Sequence, residues 1–277
     1  MTGLSPRQVA KTTHTLNLGA VLAIEGKKVL LIDLDRQTDL TMGVGLNPSQ
    51  HSGYLQQCAA QLDLKNFAQA RNILDAAIQT RKFPTTDKQT FSLDILPGES
   101  DSIRDFRDSS YKSLTVLFKR LISLLQDEYD YIFIDVSPNW DRLTQCIFNS
   151  CDTVLIPVDY GRKSLHHAVN LYKSIIPQVR EKRATRDQLH IGPWNLGLVF
   201  SNCPPDRGKT LDDCIQGELT KRSFTGKQCI THLRSYAQTK VAEFKHVPVI
   251  SWRKSPITQL YTKLANEVFL NHNFADD

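Results

Sequence analysis

Two apolar runs in this chain, Val29-Leu30-Leu31-Ile32 and Tyr131-Ile132-Phe133-Ile134, each close on an aspartate, Asp33 and Asp135. A continuous apolar run of that length, without the alternation of a half-solvated strand, predicts a strand buried on both faces of a parallel sheet. Parallel neighbours need crossover connections, so such runs must be interleaved with helices. The residues from Lys11 to about Glu25 predict a helix ended by Gly26, and Phe91–Leu96 a strand closed by Pro97-Gly98. Tyr111–Leu125 carries Leu114, Leu117, Phe118, Leu121 and Leu125 on one helical stripe. Thr153–Val158 and Leu196–Phe200 read as further buried strands, and residues 50–85 as helical and polar, from Leu55 to Leu62 and from Phe67 to Ile78. The expected fold class is therefore α/β: a doubly wound, mostly parallel sheet with helices on both faces and right-handed crossovers. Forty per cent hydrophobic content is ample for a core, and no Pro/Gly/Ser-rich linker divides the chain. One domain over residues 1–277 is expected, with an atypical segment at 1–10.

Charge is placed unevenly. Residues 151–277 carry 18 Lys and Arg against 12 Asp and Glu, while residues 1–150 carry 16 against 17. The second half is the better candidate for a polyanion-binding face, although scattered solvated charge explains the same balance. The six cysteines show neither a Cys-x-x-Cys pair nor a Cys/His ligand spacing, and nothing at the N-terminus resembles a signal peptide. No apolar run approaches the roughly 20 residues needed to span a bilayer. These features predict a soluble, cytoplasmic protein with reduced thiols.

Lys11-Thr12-Thr13 opens the first predicted helix. Lys11 is placed to reach phosphates, Thr12 to offer a hydroxyl to Mg²⁺, and the helix N-terminus to supply N–H groups and a positive dipole end. Taken alone, Lys-Thr-Thr is an ordinary helix start; the two acidic strand ends downstream make it more. Asp33 and Asp135 fall at the C-terminal edge, where doubly wound sheets bind ligands, and a carboxylate there can hold Mg²⁺ through water. Asp35, which with Gln37 and Asp39 is read as a loop after the first strand, is placed to orient or accept a proton from an attacking water. Each of these carboxylates could instead cap a neighbouring helix.

Four stretches together resemble a known family: Lys-Thr-Thr-His-Thr-Leu-Asn-Leu-Gly-Ala, Gly-Lys-Lys-Val-Leu-Leu-Ile-Asp-Leu-Asp-Arg-Gln-Thr-Asp-Leu-Thr, Tyr-Asp-Tyr-Ile-Phe-Ile-Asp-Val-Ser-Pro and Val-Leu-Ile-Pro-Val. They are similar to the ParA/Soj/MinD group of deviant Walker P-loop ATPases, over Lys11 to about Val268. The resemblance implies an ATP- and Mg²⁺-dependent homodimer that binds duplex DNA non-specifically and positions plasmids, chromosomes or other cargo over the nucleoid. A ParB-like or other adaptor would stimulate its hydrolysis. By motif position Lys11 is the P-loop lysine, Thr12 the Mg²⁺ ligand, Asp35 the water-activating residue and Asp135 the second-strand acid. Thr13 belongs to the ATP-binding set, and Asn202 matches the adenine-reading asparagine, a residue type that also forms plain turns. Arg207, Arg234, Lys240 and Lys245 fall where similar proteins place basic contacts to DNA, which need only cations on one face. Absent aromatic interleaving argues against single-strand recognition. The last residues, Phe269 to Asp277, end in two aspartates and do not make the basic amphipathic helix of a membrane anchor.

The family's loop, Lys-Gly-Gly-x-Gly-Lys-Thr-Thr, falls on Pro6 to Thr13, so the signature lysine is Pro6 and the glycines are Arg7, Gln8 and Ala10. Glycines serve there because backbone must wrap closely around phosphate. The first buried strand of the family is also missing before Lys11. Either translation begins downstream of the family's start or in another frame, or the gene has become a non-hydrolysing DNA- or partner-binding relative. The cost of unpaired backbone beside an absent central strand, roughly 1–3 kcal/mol per buried group, favours a damaged or mis-started gene over an adapted loop. The carboxysome-positioning McdA-type subset also lacks the signature lysine; Arg162 and Lys163 could substitute here, or be ordinary loop charge. An iron–sulfur ATPase is disfavoured, since paired cluster cysteines are not evident.

Overall fold

The computed structural model of the chain describes residues 10–85, 87, 89–185, 192–204, 208–252 and 255–270. It divides into two compact units, Lys11–Ser150 with Gln238–Thr258, and Cys151–Ala237 with Ala10 and the described residues from Gln259 onward.

The larger unit opens with α1 (Lys11–Ile24). It stops where Gly26 takes a φ of 81°: the Gly26 amide donates to Ala23 O and the Lys27 amide to Leu22 O, the paired bonds of a glycine-terminated helix. β1 (Val29–Leu34) follows and is buried throughout. Its side chains alternate between two packed layers. Leu30, Ile32 and Leu34 enter a core built with α3 (Tyr54–Asp63), α4 (Phe67–Ala77), α5 (Ser100–Asp108), α6 (Leu114–Ser123) and α7 (Arg142–Phe148). Val29 and Leu31 face α1, where a Cβ on Gly19 would stand 2.7 Å from Leu31 Cδ2 and 3.4 Å from Val29 Cγ1. The period of two then turns Asp33 toward α1 as well.

β2 (Gln79–Pro84), β3 (Thr90–Leu96) and β4 (Tyr131–Val136) complete a four-stranded sheet in the order β2-β3-β1-β4, in which β3, β1 and β4 are parallel and β2 is antiparallel. Between β1 and α3 lies the short helix α2 (Asp39–Gly43). The smaller unit holds a parallel pair, β5 (Thr153–Val158) with β6 (Trp194–Phe200), and the helices α8 (Arg162–Asn170), α9 (Ile176–Ala184) and α10 (Lys209–Lys221). The chain then returns to the larger unit through α11 (Ala237–Phe244) and α12 (Val249–Trp252), and α13 (Pro256–Ala265) leads back out. The Asn17 side chain on α1 accepts from the Val249 amide at 2.8 Å.

A mostly parallel α/β sheet with helices on both faces is thus what the buried runs predict. Three local expectations change. Residues 79–84 form a strand, not a continuation of helix: Gln79, Arg81 and Lys82 disguise an edge strand, where charged side chains blunt the exposed ladder. The helix expected over Tyr111–Leu125 is shorter, because Ser113 caps it by accepting from the Val116 amide at 3.3 Å. Asp39 opens α2 and does not belong to a loop. Among the described residues no strand precedes α1, and Pro6 to Val9 of the altered loop lie outside them. No helix among the described residues is long and apolar enough to cross a membrane.

Candidate functional site

Strand register assembles the site. Asp33 and Asp135 are direct partners in the β1–β4 pairing, so both carboxylates leave the sheet on the face that α1 covers. α1 presents Lys11, Thr12 and Thr13 in its first turn, and Thr12 Oγ1 donates to Asp135 Oδ2 at 2.5 Å. Burial pushes the Lys11 ammonium below its usual range, while the charges of Asp135 and Asp35 pull it back up. Lys11 therefore lies within electrostatic reach of both carboxylates. Asp135 is almost fully enclosed, and burial pushes its carboxyl up to about 7 against the opposing pull of the Thr12 hydroxyl and Lys11.

Asp33 is engaged differently. Its Oδ2 accepts from both the amide and the hydroxyl of Thr41, at 2.8 and 2.6 Å, and its Oδ1 accepts from the Asp35 amide at 3.2 Å. Burial still pushes it up to about 6. Asp35 lies two residues on, mostly buried, with Oδ1 accepting from the Gln37 amide at 3.1 Å. Thr41 and Gly98 join this cluster without having been singled out in the sequence: the Gly98 amide donates to Thr41 Oγ1 at 2.8 Å. The available signal was the Pro97-Gly98 turn at the end of a buried strand.

Ala10, immediately before Lys11, has a φ of 56°. It stands where the family's loop carries glycine, and it adopts the left-handed conformation that glycine serves. A methyl group thus occupies a left-handed position directly ahead of α1. Lys11, Thr12, Asp33, Asp35 and Asp135 come together at the C-terminal ends of β1 and β4, with Thr13 beside them in the same turn. A cavity of about 310 Å³, lined by Gly26, Lys28, Ser92, Asp94, Glu128 and Tyr129, opens at the other end of these strands and includes none of them.

The remaining expected residues lie elsewhere. In the smaller unit, Asn202 is exposed with a φ of 55°, just past β6. Arg162 and Lys163 do not sit in a loop; they are the first two residues of α8, and Arg162 Nε lies 3.3 Å from a Glu218 carboxylate oxygen. Arg234 is exposed in the same unit. In the larger unit, Lys240 pairs with Glu243 at 2.8 Å along α11, and Lys245 is exposed just after that helix. Arg207 falls outside the described residues.

The oxygen donors Thr12 and Asp135 are the hard ligands that Mg²⁺ prefers, and a helix N-terminus with a lysine beside them fits a polyphosphate. A family model described as AAA domain matches residues 8–191. A ParA family protein of Chlamydia pneumoniae is 28% identical over 269 residues, covering 94% of this chain and 93% of the relative. The sporulation initiation inhibitor protein Soj of Bacillus subtilis (strain 168) is 31% identical over 171 residues, 60% of this chain and 61% of the relative. Among solved structures, an ATP complex of a variant of Cyanothece McdA shares the fold with a TM-score of 0.69 at 15% identity, covering 96% of this chain and 94% of the other.

Two outcomes follow from this geometry. A left-handed conformation costs an L-residue roughly 1–2 kcal/mol, and glycine's extra freedom in the unfolded chain returns about 0.4–1 kcal/mol of that. Ala10→Gly should therefore stabilise the chain by about 0.5–1 kcal/mol, read from the midpoint of chemical unfolding; destabilisation would contradict the backbone conformation. The Asp135 carboxyl, raised from an ordinary 3.8 to about 7, favours the folded chain while it is protonated. That contribution is complete below the ordinary value and is lost as pH rises through about 7. The urea midpoint of the nucleotide-free chain should fall between these limits and level off above, and Asp135→Asn should flatten the fall. Identical pH profiles for the two proteins would refute it.

Proposed function

The chain belongs to the ParA-like family of P-loop ATPases, and on that footing we propose that it binds ATP·Mg²⁺ at the C-terminal edge of β1 and β4 as a partition or cargo-positioning ATPase. The observation that carries this reading is the Thr12–Asp135 bond beside Lys11 at the start of α1. Thr12 and Asp135 would hold Mg²⁺, which when bound neutralises charge on the phosphates. Lys11 and the first N–H groups of α1 bind the phosphate oxygens, with Thr13 in the same turn. Asp35 orients the attacking water and receives its proton.

The finer parts of the proposal rest on the family resemblance. Asn202 reads the adenine, and Arg162 and Lys163 supply the cation that Pro6 does not. The protein acts as one domain over residues 1–277, in the cytoplasm and on the nucleoid, as an ATP-dependent homodimer that an adaptor of ParB type triggers to hydrolyse. Duplex DNA is held through phosphates by Arg207, Arg234, Lys240 and Lys245. Exposure of Arg234, Lys240 and Lys245 supports that assignment. A second reading, a relative that binds DNA or a partner without turnover, is favoured by the side chains of Arg7, Gln8 and Ala10 where glycines would let backbone approach phosphate.

Turnover by the chain as it stands is expected to be low for the same reason, and glycine at positions 7, 8 and 10 should raise it. In that restored background, Asp35→Ala should leave the calorimetric ATP affinity within about threefold, while hydrolysis falls by about 10²-fold or more, the usual scale for losing a proton-accepting group. Absence of ATP binding by both the restored and the native loop would decide for the second reading. Alanine at Arg234 and Lys245 together should weaken binding to every duplex sequence alike and flatten the salt dependence by about one unit of slope per lost contact. Unchanged affinity across a salt series would remove these residues from the DNA face.

A further inference from the structure

We infer that Asp33 is a positioning residue and not a cation ligand: through Thr41 it ties the segment from Asp35 to Thr41 onto the Pro97-Gly98 turn, and so sets where Asp35 sits. The inference rests on the proposed role of Asp35, but the linkage itself stands on four hydrogen bonds within the larger unit. Gly98 N–H donates to Thr41 Oγ1 at 2.8 Å, and that hydroxyl donates onward to Asp33 Oδ2 at 2.6 Å. The Thr41 amide reaches the same oxygen at 2.8 Å, and the Asp35 amide reaches Oδ1 at 3.2 Å. A carboxylate offers about four acceptor sites, and protein donors fill three of these.

Geometry leaves little room for a hydrated cation on Asp33. The residue is fully buried, and a Cβ built on Gly98 would stand 2.8 Å from Asp33 O and 3.0 Å from its Cγ, so the turn itself walls the carboxyl. Asp135 contrasts with it: among the described residues its side-chain partner is the Thr12 hydroxyl, itself a candidate ligand. The turn is clamped from its other side, where the Tyr54 hydroxyl donates to Pro97 O at 2.8 Å. Glu99, the next residue, caps α5 by accepting from the amides of Asp101 and Ser102 at 3.0 and 2.7 Å. Three stretches of chain, the end of β1, the start of α2 and the end of β3, are therefore fixed together through one carboxylate.

Thr41 has a task that only a hydroxyl performs, since it must donate and accept at once. Serine preserves it and the near-isosteric valine does not. In hydrogen exchange on the full chain without nucleotide, Thr41→Val and Asp33→Asn should speed exchange of the Asp35 and Gly98 amides by about tenfold, the scale of one lost buried hydrogen bond, while Thr41→Ser keeps them slow. In parallel, ATP affinity measured with Mg²⁺ and with EDTA should show the same Mg²⁺ enhancement in Asp33→Asn as in the native protein. Unchanged exchange in Thr41→Val, or loss of the Mg²⁺ enhancement in Asp33→Asn, would overturn the inference. Should Asp33→Asn not fold, the Thr41 pair decides the linkage by itself. Should neither the native nor the loop-restored chain bind ATP under either condition, the proposed function falls while the exchange data still decide the role of Asp33.

Discussion

Asp33 and Asp135 face one another across the β1–β4 pairing at a depth where neither meets bulk water. Carboxylates held there are costly when ionised unless protein groups or cations answer them, and the surrounding chain is arranged around that requirement. Asp33 is answered by Thr41 and the Asp35 amide, which fixes the course of the chain from β1 into α2. Asp135 is answered by the Thr12 hydroxyl and the nearby Lys11 ammonium, which fixes where α1 begins. The two acids share a register position and a face, yet one is closed off by protein donors and the other is left with a hydroxyl and a cation beside it. That asymmetry is the ground on which two acids that each close an apolar run are proposed to differ in role.

Much of the larger unit was legible because β1 is buried along its whole length, so Val29–Ile32 reads as an apolar run ahead of Asp33; Tyr131–Ile134 keeps the same composition ahead of Asp135, although apart from that aspartate β4 is only partly buried. Asp33 and Asp135 were legible because each ends such a run. β2 was not: Gln79-Thr80-Arg81-Lys82 has the composition of a solvated helix, and only its pairing with β3 makes it a strand. Thr41 and Gly98 were hidden for a different reason. The Asp33–Thr41 and Thr41–Gly98 bonds span 8 and 57 positions of sequence, and no local pattern of charge or hydropathy records which hydroxyl will meet which turn. Asn202, Arg162 and Lys163 were chosen by resemblance; their local surroundings are a turn past β6 and the first turn of α8.

Ala10 shows how a local rule can be broken while the geometry persists. A methyl group occupies a left-handed position ahead of α1, and the helix that follows still presents Lys11 and Thr12 to the sheet edge. The constraint that keeps it there is downstream, in the packing of α1 across β1, β3 and β4 and the close approach of Gly19 to Leu31.

The long sequence separation within this site bears on how the chain is made. Thr12 meets an acid 123 residues later, and Asn17 on the same helix accepts from an amide 232 residues later. At a synthesis rate of about 5–20 residues per second, a nascent α1 waits roughly 6–25 seconds after emerging before β4 is available to it. Throughout that interval Leu16, Leu18, Val21 and Leu22, all buried in the finished protein, have no sheet edge of that partner to cover them. Of the segments that build the site, α1 thus waits longest for its partners, and no N-terminal fragment ending before residue 131 contains the strand that carries Asp135.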